Sequence, residues 1–448
     1  MSWCVRMGMG AWVWLGVASV WAQQAPPTLG AVTMGMHAAA EPVSASEATE
    51  PGLRRALQTA LQRHPSLMSK QAQVQAKQAA ADGARAMRYP TLSASTGAGQ
   101  TEGYSGTRTT SVRAQQPLWA FGRIDRTIAY ADADVRAQSA DLWQTGRQLL
   151  EETAVAYATV QGTRERLLVA TQNVQRHQEL QQQIQRRAQG GLASPVDVSM
   201  AQTRLLQARA QRESAASDLL SALANLLAYT QDRVDSELPV PRDVTLLPDG
   251  EQVSEEVLSQ SAALRTKQSQ WELAQADAER ERTASLPTVV LEASRNHVSG
   301  LPNTRNSTSM NVVLQGALEG MGFVARGREA AALARAEAVR QELNLARHDL
   351  TVRVQQLLDK RASDQALLAG YAESVATLDG TLASFRRQYE SGYKSWLDVL
   401  NAVRELSEQQ LQQAQVQSSW RVNTLRLAAM MGRLDEPAGL AMAPESTP

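Results

Sequence analysis

The chain has a single cysteine, Cys4, in 448 residues. That residue lies in an N-terminal segment expected to be removed. The mature protein is therefore expected to have no thiol for disulfides, metal binding or nucleophilic catalysis. Aromatic residues make up only 4%, with three phenylalanines, which argues against large compact cores. Neither sign of charge is in excess, since 45 Lys and Arg balance 45 Asp and Glu. A neutral chain has no electrostatic footprint for nucleic acid, and Arg186-Arg187 reads as an isolated pair on a glutamine-rich helix. Beyond the N-terminus no apolar run approaches the roughly 20 residues of a membrane-spanning helix, so any spanning element has to be β.

Catalytic signatures are also missing. His37, His64, His177, His297 and His348 are scattered, with none at the i, i+4 spacing of a helical metal pair. The chain carries no Gly-x-Ser-x-Gly elbow and no phosphate-binding glycine loop. Glu151-Glu152 are adjacent on a helix, so their carboxylates point to different faces and are expected to be solvated. The expectation is a protein that is not an enzyme, with no catalytic residue, no metal, no cofactor and no nucleotide hydrolysis.

The first residues carry Arg6, an apolar stretch Ala11–Val20, and Val20-Trp-Ala22 before Gln23-Gln24. This reads as a secretory signal peptide over residues 1–22, cleaved after Ala22; a membrane anchor is the alternative, for which the run is short. Residues 23–50 mix proline, alanine, threonine and acidic residues without period and read as a disordered lead-in.

Glutamine, alanine, leucine, arginine and glutamate dominate the remainder of the chain, a composition of long helices and coiled coils. Gly191-Leu-Ala-Ser-Pro-Val-Asp-Val198 and Gly392-Tyr-Lys-Ser-Trp-Leu-Asp-Val399 are two versions of one motif. At a similar offset, Arg85–Leu92 and Glu281–Val289 each end a helix at a proline. Trp119–Ile124 and Gly320–Gly327 each re-enter helix. The chain is an internal duplication, with repeats over residues 51–240 and 241–434 and a disordered tail over 435–448.

From Leu368 the apolar residues run Leu368, Tyr371, Val375, Leu378, Leu382, Phe385, Tyr389, alternating three and four. That period of 3.5 predicts a helix lying along another helix in a left-handed supercoil. Leu150, Tyr157, Val160, Leu167 and Val174 fit the same seam in the first repeat. A helix over about 123–189 would be on the order of 100 Å long. The chain reverses at Gly190-Gly191 and returns through Leu205, Leu219, Leu223 and Leu227. On helices alone, a periplasmic coiled-coil spacer, a structural protein, is the competing reading.

Residues 91–99 and 107–116 alternate small or apolar with polar around a glycine-rich turn, and so do Pro287–Ser294 and Ser309–Gln315, where Met310, Val312 and Leu314 share a face. These read as two β-hairpins, one per repeat. Four strands do not close a barrel, and open edges are not tolerated in hydrocarbon, so a membrane role requires several chains to pool strands. A soluble sheet cap is the alternative.

Over about Leu53 to Leu434 the chain resembles the TolC family of outer-membrane factors. The resemblance rests on Leu57-Gln-Thr-Ala-Leu-Gln-Arg-His-Pro-Ser-Leu67, on Gln116-Pro-Leu-Trp-Ala-Phe-Gly122, and on the two Gly-x-x-Ser-x-x-Asp-Val turns. It implies a mainly α fold with a small β part. Duplicated long helical hairpins would form a homotrimeric tunnel, and four strands per chain would contribute to a shared 12-stranded outer-membrane barrel. It implies location in the outer membrane, among its lipid, with the tunnel reaching into the periplasm toward an adaptor and an inner-membrane pump, an ABC transporter or another. It also implies that the two turns are the periplasmic tips, with Gly191, Ser194, Gly392 and Ser395 where the adaptor docks. Asp197 and Tyr389 match a gate-holding pair, Lys394 a basic gate residue, and Asp398 an aspartate ringing the aperture. Three copies of Asp398 would make a cation-attracting constriction. Asn401 stands where some members carry a second ring aspartate, so a two-tier acidic ring is not implied. For each aspartate the alternative is a solvated helix cap. The expected function is a passive exit duct for exported cargo. The segment Tyr389–Leu406 resembles type I secretion members that export large adhesins or toxins; the alternative is the outer-membrane component of a multidrug efflux pump.

Overall fold

The computed structural model describes residues 52–101, 104–236, 238–299, 305–317 and 319–440. The expected signal peptide and lead-in lie outside the described residues. Two short helices, α1 (Gly52–Arg63) and α2 (Pro65–Ala86), open the first repeat. His64 separates them by capping α2, its Nδ1 accepting from the Ser66 amide, and Pro65 sits at the first helical position where no amide is needed. Strands β1 (Thr91–Thr101) and β2 (Tyr104–Trp119) follow. Helix α3 (Arg123–Gln189) then runs 67 residues, about 100 Å, and α4 (Pro195–Thr230) returns along it.

The second repeat has the same plan. After short α5 (Arg242–Thr245), α6 (Gly250–Gln260) and α7 (Ala262–Ala284) lead into β3 (Thr288–Ser299) and β4 (Arg305–Gln315). Helix α8 (Phe323–Glu390, 68 residues) and α9 (Trp396–Met430) form its long hairpin, and α10 (Asp435–Ala438) ends the described chain. Both long helices are entered through a left-handed glycine, Gly122 at φ 84° and Gly322 at φ 89°, a conformation that a Cβ disfavours. That shared turn lets a strand swing into a helix in both repeats.

The strands form one antiparallel sheet in the order β1-β2-β3-β4, and β2 pairing with β3 joins the repeats. All four strands are longer than the alternation indicated, because the pattern fades into polar residues near the turns. Cross-strand partners share a face. One face carries Leu92, Val112, Met310, Val312 and Leu314, all exposed. The other carries Ser95, Ser111, Ser294, Ser309, Arg113 and Glu292; Ser95 bonds Ser111 at 2.8 Å, and the Arg113 Nε–Glu292 pair lies at 3.3 Å.

Core residues fall in separate clusters along the length rather than in one mass. The largest gathers Leu53, Leu57, Leu150, Tyr157, Val160, Leu226, Leu425 and Leu434 from both repeats. Tyr157 is fully buried there and its hydroxyl donates to the Leu238 carbonyl at 2.6 Å. Gly162 lets α3 approach α9 closely, since a Cβ there would overlap the Ser418 side chain.

The seam expected on α8 is in place, with all seven of its residues buried or half-buried. On α4 the expected leucines face inward except the last: Leu205 is buried, Leu219 and Leu223 are half-buried against the largest cluster, and Leu226 is buried in place of Leu227, which is 44% exposed. The line is completed by Ala201, Ala208, Ala215 and Ala222, all buried. Alanines seven apart let two helices sit close, and a search weighted toward large apolar residues passes over them. Glu151 also departs from expectation: it is half-buried and accepts from Arg353 Nη2 at 3.1 Å, joining α3 to α8. Burial pushes its carboxyl up, and Arg353 offsets only part of that.

The expected disordered tail does not begin at residue 435. Asp435–Ala438 is helical, and Asp435 takes Arg147 Nε at 2.8 Å and Nη2 beside it, while Arg147 Nη1 donates to the Gln260 carbonyl. The Arg147 guanidinium also lies 4.3 Å from the Trp143 ring centroid. A buried arginine needs a carboxylate, and Asp435 of α10 supplies it. Residues 441–448 lie outside the described residues.

Candidate functional site

The two motif turns close the helical hairpins, and their geometry explains each fixed residue type. The helix before the turn ends with Gly191 at φ 73° in one repeat and Gly392 at φ 81° in the other. The next amide folds back, Leu192 N to Arg187 O and Tyr393 N to Gln388 O, both at 2.8 Å. This is the left-handed C-terminal cap that glycine favours. The following helix opens with a reciprocal capping box. Asp197 Oδ2 accepts from Ser194 N at 3.1 Å and Oγ at 2.9 Å, while Ser194 Oγ accepts from Asp197 N at 3.1 Å. Ser395 and Asp398 repeat the arrangement at 3.1, 2.8 and 3.2 Å. The Gly-x-x-Ser-x-x-Asp spacing is thus a helix stop joined to a helix start.

The same contacts set the electrostatics. The Ser395 hydroxyl and amide hold the Asp398 carboxyl below the usual carboxylate range, and Lys394 adds to the effect. Lys394 Nζ lies 3.9 Å from Asp398 Oδ2 and 4.4 Å from the Phe385 ring centroid. Asp398 therefore stays ionised through the neutral range.

Among the described residues Asp197 and Tyr389 do not bond to each other within one chain. Tyr389 is buried against Trp396, with ring centroids 5.2 Å apart. The Arg187 guanidinium lies 4.4 Å from its ring centroid, and Arg187 Nη1 donates to the Tyr389 carbonyl at 3.4 Å. Asn401 is exposed one turn beyond Asp398. Arg187 and Trp396 were not singled out by sequence reasoning. Arg187 sits in a basic pair that reads as solvated, and only the packing of one repeat's tip on the other gives it an aromatic partner. Trp396 was readable as an aromatic at the first position of a helix, directly after its Ser395 cap.

Beneath the tips Leu180, Ile184, Leu382, Val399, Leu400, Val403 and Leu406 form a common core from both repeats. The outer surface of each tip is apolar: Leu192 and Val196 in the first, Tyr393 and Leu397 in the second, are exposed four residues apart. Among the described residues no cluster of three potential metal ligands occurs, and no helix is long and apolar enough to cross a membrane.

Residues 56–230 and 253–433 match the model of a family described as outer membrane efflux protein, and the two matched stretches lie one in each repeat. No curated protein matches the chain in sequence. In structure it is similar to the outer-membrane channel OprN at 20% identity and TM-score 0.73, over 86% of this chain and 90% of that one. It is similar to CusC at 18% identity and TM-score 0.72, over 85% and 92%. The outer-membrane protein VceC of Vibrio cholerae matches at 18% identity and TM-score 0.70, over 86% and 96%. With both repeats matched over most of its length, the chain belongs to the outer membrane efflux protein family, the TolC-type outer-membrane channels.

Proposed function

We propose that the protein is the passive exit duct of a tripartite efflux machine, a homotrimer spanning the outer membrane and reaching through the periplasm to an adaptor and an inner-membrane pump. Family membership makes it an outer-membrane channel and not an enzyme. The observation that carries the trimer is the sheet. Among the described residues its β1 and β4 edges have no partner strand, one face is exposed and apolar over the part near the helices, and the strands of 11 to 16 residues reach the 9–11 or so a tilted transmembrane strand needs. Three copies joined edge to edge remove every open edge. Exposed Tyr89, Trp119, Phe121 and Phe323 gather where strands meet helices, the place of an aromatic girdle.

The tips supply the proposed gate and docking point. Asp197, Tyr389, Lys394 and Asp398 would hold the closed aperture across subunits, and the apolar tip surfaces around Gly191, Ser194, Gly392 and Ser395 would meet the adaptor. The efflux reading of cargo follows the family. Of the segment Tyr389–Leu406, whose resemblance points to type I secretion members, Trp396, Val399, Leu400, Val403 and Leu406 are buried in the tip core, so those residues serve packing and carry no information about cargo.

Two measurements test this. Membrane fractionation with crosslinking should give a trimer in the outer membrane, and a soluble periplasmic species would overturn the duct. A clean deletion should raise drug susceptibility with an intact set of secreted proteins. Loss of one large secreted protein at unchanged susceptibility would assign the duct to type I secretion instead.

A further inference from the structure

The apolar face of the sheet changes character along its length. Near the helices it presents Leu314, Val312 and Met310, and the register carries it outward to Arg295, His297 and Arg108 on the same face. All three basic residues are exposed. His297 Nδ1 pairs with Asn306 Oδ1 at 2.5 Å, but among the described residues neither Arg108 nor Arg295 has an acidic partner, and the strands place no carboxylate on this face. The opposite face differs: there Arg113 is paired with Glu292, which also takes Gln115 Nε2 at 2.9 Å.

A guanidinium facing lipid costs about 2–4 kcal/mol at the bilayer midplane and little near its surface. Arg295 lies one pleat repeat, about 7 Å, beyond Met310 and level with Val112, and Arg108 lies two repeats further out, about 14 Å, so the face turns from apolar to basic over this stretch. Arginine side chains of this length snorkel away from hydrocarbon. Arg108 is therefore set at headgroup level on the side of the sheet away from the helices, and Arg295, nearer the apolar band, extends its guanidinium toward the same level. At that level on a lipid-facing wall, the anion able to take both N–H groups of a guanidinium is a lipid phosphate.

We propose that Arg108 and Arg295, assisted by His297 and Thr308, form a binding site on each subunit for the phosphate groups of an anionic outer-leaflet glycolipid of the lipid A type. The site anchors the barrel vertically and strengthens it against dissociation. It rests on the barrel reading of the sheet.

The test uses the full-length protein, wild type and R108A/R295A, purified in detergent and reconstituted into vesicles of phosphatidylcholine alone or with diphosphoryl lipid A. Co-flotation of both proteins with phosphatidylcholine vesicles reports barrel insertion, and its failure in the wild type would overturn barrel and site together. If both insert, lipid A should raise the trimer dissociation temperature of the wild type but not of the variant. Native mass spectrometry should show lipid A retention weakened by roughly tenfold or more in the variant, as loss of charge-assisted hydrogen bonds requires. Inorganic phosphate at matched concentration should do nothing. An equal gain for both proteins, no gain for the wild type, or the same gain from inorganic phosphate would each overturn the proposal while leaving the barrel standing.

Discussion

Replacing Asp435 by alanine should release the C-terminal segment from the body of the protein. Asp435 Oδ2 is the acceptor for both Nε and Nη2 of Arg147, and Arg147 is only 8% exposed. Removing one partner of a buried pair leaves an uncompensated charge and costs about 3–5 kcal/mol, a factor of roughly 10² to 10³ or more in the local opening equilibrium. The pair itself is not a net source of stability. Burial pushes the Asp435 carboxyl up, and the hydrogen bonds and charge of Arg147 bring it back only in part. Filling the site with apolar side chains, Arg147→Met with Asp435→Leu, should therefore recover most of the loss. The assay is amide hydrogen exchange at Ala438 and Leu440, whose N–H groups bond to Leu434 O and Asp435 O. The single variant should exchange faster by that factor, and the double variant should approach the wild type. Unchanged exchange in D435A, or a double variant as labile as the single one, would refute the reasoning.

Two further perturbations probe other levels of the structure. Burial, with Arg204 and Arg176 adding to it, lowers the His177 pKa from 6.5 to about 4. The folded value lies below the unfolded one, so the neutral imidazole's contribution is complete above about pH 6.5 and is lost as pH falls toward 4. Trimer dissociation temperature should fall over that window in the wild type and fall less in His177→Leu; equal slopes would exclude His177. On the sheet, Val312→Arg on the apolar face should cost about 2–4 kcal/mol and block insertion, whereas Asn311→Arg on the polar face should assemble normally in outer-membrane fractions. The reverse order would invert the assignment of faces.

The tips show how far the sequence carried and where it stopped. Gly191, Ser194, Asp197 and their counterparts were legible because a left-handed cap and a capping box are local, satisfied by residues within one turn of each other. The same locality made the α8 seam and the strand alternation readable. Arg187 on Tyr389 was not, because those residues are 202 positions apart and meet only when the two hairpins pack. Glu151 with Arg353 and Arg147 with Asp435 escaped for the same reason, since a half-buried carboxylate and a solvated one look alike until a distant helix covers one of them. The alanine line on α4 was hidden differently: small residues carry little hydrophobic signal and matter by how closely they let helices approach.

By itself, then, the sequence determined the duplication, the two long hairpins, their turns and the strand pairs, because each follows from propensity and hydrogen bonds spanning a few residues. Tertiary structure decided which faces are apolar walls, which charges are paired, and that the segment around Asp435 is clamped into the body. Those outcomes depend on what a long-range neighbour removes from water, and desolvation is a property of the packed pair rather than of either segment.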